Sequence, residues 1–390
     1  MPQKSHVAHL GFMVHTGSRD EMADEHGMAH FIEHIIFKGT RKRKSFHILS
    51  RLEDVGGELN AYTTKEETCI YSAFLKQDFK RAVELIHDIC FNPTFPEKEI
   101  MREKNVILDE ILSYYDNPSE LIFDEFEDLV FKGHPIGRGI LGNEKALNSF
   151  SQADVKNFIK DNYATNEMVI CSVGDLPFNK LLKEVEKYFG SVREKNRRRS
   201  RVSPVDYSPV KKEVNLNTHQ VHCIIGNRAY NYTHKKRTGL HLINNLLGGP
   251  GMNSRLNLSL REKHGYSYSV ESHYSPYTDS GILNIYFGCD KEKYYKSMKL
   301  VYHELELLCK KRLGTGQLSK AKKQVTGQIA INSENHEHLM LAMGKSILLF
   351  DKFENLEDIS KKIDSVTSSD IMEISNEIFI PDNLSVLTYT

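Results

Sequence analysis

"SQADVKNFIKDNYATNEMVICSV" (151–173) and "SSDIMEISNEIFIPDNLSVLTYT" (368–390) follow one pattern, and that likeness decides the fold. Asp154 corresponds to Asp370, Tyr163 to Phe379 and Met168 to Leu384. Likewise "EIMREKNVILDEI" (99–111) lies without gaps on "QLSKAKKQVTGQI" (317–329). "GMAHFIEHIIFKG" has an echo in "GLHLINNLLGG", with one residue fewer before the His. Matches this far apart point to one unit of roughly 190 residues, duplicated, and not to a short-period solenoid.

Within the first copy, strand and helix signals alternate. "VAHLGFMVHTG" is strand-like, while "HGMAHFIEHIIFKG" and "SFHILSRLEDVGG" carry helical periodicity and end at Gly. "ELNAYTTKEETCIYSAFL" reads as a hairpin rich in β-branched and aromatic residues. "DFKRAVELIHDICFNP" and "PEKEIMREKNVILDEILSYYDNP" read as helices stopped by Asn-Pro. The expected class is therefore α+β, with two homologous mixed α/β domains at 1–189 and 213–390. The stretch 190–212 between them has no apolar periodicity and is read as a linker. Its basic run, Arg197, Arg198, Arg199 and Arg201, is expected to be solvated.

Lys+Arg and Asp+Glu number 52 each, so the formal net charge is zero. No basic excess points to nucleic acid or a membrane surface as partner. The six cysteines are dispersed with no CxxC pair, which fits reduced thiols rather than a disulfide framework. The opening "MPQKSHVAHLGFMVHTG" lacks the plan of a secretory signal, and no apolar run is long enough to span a bilayer. A cytoplasmic location is expected, unless a presequence precedes this start.

Chemistry concentrates in "HFIEHIIFKGT" (30–40). On a helix, His30 and His34 lie one turn apart and can aim two imidazoles at one point. Glu33 borders the same face, close enough to hold a water beside a metal. Catalytic zinc takes three protein ligands and keeps one position open, so a carboxylate or imidazole from another element must complete the set. Glu110 is the chosen third ligand. It shares a helix face with Glu103, seven residues earlier, and Glu103 is placed to accept a hydrogen bond from a ligand His. The second copy acts as an internal control. It offers His241, Asn244 and Asn245 in place of His30, Glu33 and His34, and Ala321 and Gln328 in place of Glu103 and Glu110. The helical frame survives there without the ionisable groups, so the fold alone does not require them.

With these motifs in view, the chain resembles the insulinase/pitrilysin family of zinc peptidases, in which H-x-x-E-H replaces H-E-x-x-H. The processing-peptidase branch and its bacterial relatives are the nearest likeness. "GSRDE" (17–21), "HGMAHFIEHIIFKGT" (26–40), "GGELNAYTTKEETCIY" (56–71), "EKNVILDEI" (103–111), "HPIGRGILG" (134–142) and "LREKHGYSYSV" (260–270) carry the resemblance. It implies one zinc ion per chain on His30, His34 and Glu110, with Glu33 as general base and Glu103 as a supporting acid. It also implies that Arg261 and Tyr268 hold substrate and steady the tetrahedral oxyanion. On the residues alone, Arg261 reads as a surface residue and Tyr268 as a strand residue facing the core. Asn60 and Ala61, in "NAYT", match the strand whose edge pairs with an extended peptide.

The resemblance further implies a unit forming half of a clamshell around a chamber, with the Arg/Tyr pair reaching the zinc of the opposite unit. The expected assembly is a homodimer with composite sites, or a heterodimer with a zinc-less paralogue. The expected function is a zinc metalloendopeptidase for unfolded or presequence-like peptides, without nucleic acid or membrane insertion. A non-catalytic core-protein-like subunit and a peptide-binding chaperone with a structural metal are the competing readings. The departure from the family pattern is at the start, where only "MPQKSH" precedes the first strand and an edge strand is expected to be missing or the start truncated.

Overall fold

Both halves of the chain mix strands with runs of helices in the computed structural model, which describes residues 1–390. The first half contains β1 (Val7–Val14), α1 (Met28–Ile35), α2 (Ser45–Glu53), β2 (Glu58–Thr63) and β3 (Thr68–Leu75). It continues with α3 (Phe79–Phe91), α4 (Glu97–Tyr115), α5 (Pro118–Val130), α6 (Glu144–Ser149), α7 (Gln152–Asn162), β4 (Met168–Val173) and α8 (Phe178–Phe189). The second half begins with β5 (Lys211–Val214), β6 (Val221–Arg228), α9 (Arg237–Gly248), β7 (Ser267–Pro276) and β8 (Gly281–Cys289). It ends with α10 (Tyr294–Lys310), α11 (Thr315–Ser333), α12 (His336–Phe350), α13 (Leu356–Ser365), α14 (Ser368–Ile378) and β9 (Ser385–Tyr389). The class is α+β, as the sequence predicts.

The chain forms two units. The first gathers Met1–Ser113, Arg138–Arg201 and Ile331–Phe353, and the second gathers Tyr114–Gly137, Val202–Ala330 and Glu354–Thr390. In space the halves are interleaved where the sequence division is not: α5 belongs to the second unit and α12 to the first.

The sheet of the first unit has the order β2-β3-β1-β4, every pair antiparallel. Alternation sorts β1 into two faces. Leu10, Phe12 and Val14 join Ile70 and Phe74 of β3 in a core with Phe31, Ile32 and Ile35 of α1 and Ile107 of α4. Burying each such side chain contributes about 1.5–3 kcal/mol. Met13 faces the other way, with Cys69, Cys171 and Met340 of α12. There α12 lies close to the sheet because Gly344 is bare: a Cβ would sit 2.6 Å from Met13 Sδ and 2.7 Å from Cys171 Sγ.

The second unit has a five-stranded sheet, β5-β9-β6-β8-β7, with β5 parallel to β9. The repeat is visible in local chemistry. Both α4 and α11 are 19 residues long. Capping boxes open α7 and α14, Ser151 with Asp154 and Thr367 with Asp370. The first sheet has four strands, and beside β4 only a parallel bridge, Pro2 to Gly174, stands where β5 pairs in the second.

The basic run at 197–201 corrects the expectation of a solvated linker. Arg197 and Arg201 are about one-tenth exposed and converge on Asp20 at 2.9 and 2.8 Å. Arg199 pairs with Glu25 and with Asp161, and only Arg198 extends mainly into solvent. The acids that hold this strap come from distant parts of the chain, so no local pattern announces them. All six cysteines are free, and no helix is long and apolar enough to cross a membrane.

Candidate metal centre

Helix α1 packs Met28, Ala29, Phe31, Ile32 and Ile35 into the core and carries His30, itself buried, with Glu33 and His34 along its other edge. The rings of His30 and His34 lie 4.7 Å apart, as spacing by one turn requires. Helix α4 packs Ile100, Ile107 and Ile111 inward and carries Glu103 and Glu110 towards α1. Glu110 Oε2 stands 3.8 Å from His30 Nε2 and 3.5 Å from His34 Nε2. The three donor atoms all lie within 4.8 Å of one another.

This geometry fits a tetrahedrally held ion. Donors about 2.0–2.2 Å from zinc stand about 3.4 Å apart, close to the observed separations. Two imidazoles and a carboxylate are also the donor set that zinc accepts at a site with an open position. Burial, reinforced by His34, pushes His30 down to about 3, so its ring is neutral at neutral pH and its lone pair is free for a metal. Glu110 is 43% exposed, which leaves the site open on one side.

Glu103 lies behind the three donors. Its Oε2 is 3.4 Å from His34 Nδ1, and its Oε1 is 2.7 Å from Lys38 Nζ. A proton on Nδ1 directed at this carboxylate leaves Nε2 of His34 as the donor to a metal. His30 Nδ1 is buried without a protein acceptor, so packing alone sets that ring. Burial raises the pKa of Glu33; Thr63 and His34 oppose the rise and Glu110 adds to it. Lys38 and Thr63 were not singled out from the sequence. Lys38 lies in "HFIEHIIFKGT" and Thr63 in "NAYT", yet only the approach of α4 and β2 to α1 gives them a role.

Asn60 and Ala61 lie on β2, an edge strand paired only with β3. Asn60 is exposed opposite Tyr71, whereas Ala61 packs against the core. The far end of β2, Thr63, borders Glu33, so the unpaired edge leads to the metal centre.

Arg261 and Tyr268 belong to the second unit. Arg261 sits on a π-helical segment, Asn257–Lys263, and Tyr268 on the edge strand β7. The guanidinium lies 4.7 Å from the centre of the Tyr268 ring, a cation–π contact. Tyr268 is 81% exposed, which corrects the residue-only reading of a core-facing side chain. Its place on an edge strand with a bulge at 267–269 turns it outward.

The degenerate copy repeats the frame without the chemistry. Asn245 donates to Gln328 at 2.6 Å where His34 faces Glu110, and Asn244 accepts from Ser272 at 2.7 Å. His241 lays its ring 4.6 Å from that of Tyr274.

Comparison with known proteins identifies the family. Residues 2–144 match the family model described as insulinase (peptidase family M16), and residues 149–325 match the peptidase M16 inactive domain. An uncharacterized zinc protease of Bacillus subtilis, YmxG, is 31% identical over 373 residues, covering 96% of this chain and 90% of that protein. An uncharacterized zinc protease of Rickettsia felis is 32% identical over 382 residues, 97% of this chain and 91% of that one. Among solved structures, a protease from Helicobacter pylori superposes with a TM-score of 0.92 at 21% identity, covering 100% of this chain and 95% of its own. A peptidase M16 inactive domain from Pseudomonas fluorescens gives 0.92 at 20% identity, with 100% and 94% covered. With its two halves matched in order and relatives similar along nearly its whole length, this chain belongs to the insulinase family, peptidase family M16.

Proposed function

We propose that this chain is a zinc-dependent endopeptidase for unfolded or presequence-like peptides, holding one zinc ion on His30, His34 and Glu110. The observation that carries the reading is the convergence of these three donors beside Glu33. The names of its relatives, zinc proteases, support the class. Zinc bound there supplies Lewis acidity, which brings the pKa of a water towards ~7 and polarises a carbonyl.

The remaining work falls to the chain. Glu33 takes a proton from the attacking water and returns it to the leaving amine. Burial raises its pKa towards the working pH, which suits that exchange. Glu103 keeps His34 in the tautomer that donates through Nε2. The unpaired edge of β2, at Asn60 and Ala61, takes the peptide in extended form by main-chain hydrogen bonds. Arg261 and Tyr268 hold the substrate and the developing oxyanion. Because one chain carries both the metal set and this pair, a homodimer with composite sites around an enclosed chamber is the economical assembly; a heterodimer with a zinc-less paralogue is its variant. Free cysteines throughout support a reducing, cytoplasmic setting.

Hydrolysis of a mixed set of quenched peptides by native, chelated and Glu33→Gln protein tests the reading. Activity is expected to need both metal and Glu33, with Glu33→Gln slower by roughly 10²–10⁴-fold. Zinc-loaded native protein that leaves every peptide intact would favour a structural, core-protein-like subunit instead.

A further inference from the structure

Two blocks of the sequence hold none of the three proposed metal donors, "GSRDE" (17–21) and "HPIGRGILG" (134–142), and both make contact at the start of α1. That helix has only eight residues, and its N-cap, Gly27, has φ +97 and no side chain to cap with. So short a helix is marginal by itself, and its first amides need outside acceptors. Glu21 provides them. Its Oε2 accepts the Gly27 N–H and its Oε1 the Ala29 N–H, both at 2.9 Å, from a residue 2% exposed.

The other block holds this cap in place. Arg138 donates to the carbonyl oxygens of Glu21 and Met22 at 2.5 and 2.8 Å. The His26 ring is tied to Gly139 O at 2.8 Å and to Asn143 Nδ2 at 2.9 Å. Gly27 and Gly142 pack back to back, both with positive φ, and a Cβ on either would lie 2.5–2.8 Å from backbone atoms of the other segment. On the far side, Asp20 is gripped by Arg197 and Arg201.

We infer that Glu21 is a positioning residue for the metal centre: by fixing the first turn of α1, it sets the direction in which His30 and His34 present their Nε2 atoms. Ala29, whose N–H it holds, immediately precedes His30. Each residue of an α-helix turns the side-chain direction by about 100°, so a helix that starts one residue late, or frays over its first turn, no longer points both imidazoles at Glu110. Both Glu21 oxygens face N–H donors and accept from them, although burial pushes the pKa of this carboxyl up to about 8.

The inference rests on the zinc reading, and the experiment separates the two. Zinc affinity of demetallated full-length protein is measured by competition with a chromophoric chelator, for native protein, His30→Ala, Glu21→Gln, Arg138→Gln and Ser151→Ala. Glutamine at 21 keeps the shape but turns one acceptor into a donor facing an N–H. Glu21→Gln is expected to bind zinc ~10–100-fold more weakly, the size of effect seen when the support of a metal ligand is lost. Arg138→Gln, which loosens the same segment, weakens binding in the same direction and keeps the test open if Glu21→Gln fails to fold. Ser151→Ala removes the cap of α7 in the same unit and is expected to lower the thermal midpoint of the metal-free protein with no change in zinc affinity. Native affinity in Glu21→Gln, or in Arg138→Gln if that is the variant that folds, would show a purely structural cap and overturn the inference. Native protein that binds no zinc through His30 would overturn the zinc reading, and this inference with it.

Discussion

Glu103 spans Lys38 and His34, and its consequence is local. Replacing it with Ala leaves His34 Nδ1 without its acceptor and Lys38 without its partner, while the three donors stay in place. The expected result is zinc affinity lower by ~10–100-fold with secondary structure retained, read by chelator competition and circular dichroism. Unchanged affinity would mean that His34 needs no such support. At this scale the sequence was legible wherever spacing carries the chemistry: His30 and His34 on one turn, Glu103 and Glu110 on one face. Lys38, Thr63 and the Arg138 clamp were not legible, because each depends on which surface of a neighbouring element comes near.

At the scale of elements, the buried ionic strap matters most. Arg201 binds both oxygens of Asp20 and also meets Glu66, in surroundings about one-tenth exposed or less. Removing one partner of a buried pair leaves an uncompensated charge, so Arg201→Ala is expected to cost about 3–5 kcal/mol in urea unfolding. Arg198, in the same run but 58% exposed, is expected to stay within about 0.5 kcal/mol of native as Arg198→Ala. Equal effects from the two would return the run to the solvated linker that its composition suggests. Composition misleads here because charge density alone does not reveal whether acids from elsewhere in the chain will pack against it.

Two histidines with lowered pKa values give a pH dependence at this scale. Burial, then Arg201 and Arg197, push His15 from 6.5 down to about 3, and burial, then Arg237, pushes His241 from 6.5 down to about 4. Below pH 6.5 the unfolded chain therefore binds protons that the folded chain refuses, and stability falls with falling pH until each folded pKa is reached. The urea midpoint of metal-free protein is expected to decline steadily between about pH 6.5 and 4, and less so in His241→Gln. A midpoint flat over that range would contradict it.

For the whole molecule, the composite-site proposal makes a prediction that no single chain can satisfy. Glu33→Gln protein and Arg261→Ala protein, each inactive, are mixed under conditions where subunits demonstrably exchange. Partial recovery is expected, because one site of each mixed dimer combines an intact metal set with an intact Arg/Tyr pair. Exchange without recovered turnover would exclude contribution from the partner chain.

The sequence alone determined the class of fold, and it pointed to the duplication and to the residues of the proposed metal set. Those follow from periodicity and from residue spacing along single helices, both of which are local and survive translation into helices and strands. The contrast between copies was legible too, and the structure gives it a physical form in the neutral Asn245–Gln328 pair. Only the tertiary structure decided that α5 and α12 change units, that the arginine run is buried, that Tyr268 points outward, and that Glu21 caps the helix bearing the histidines. Each of these depends on contacts between residues far apart in the chain, and such contacts are chosen by packing and charge pairing rather than by any repeat that the sequence displays.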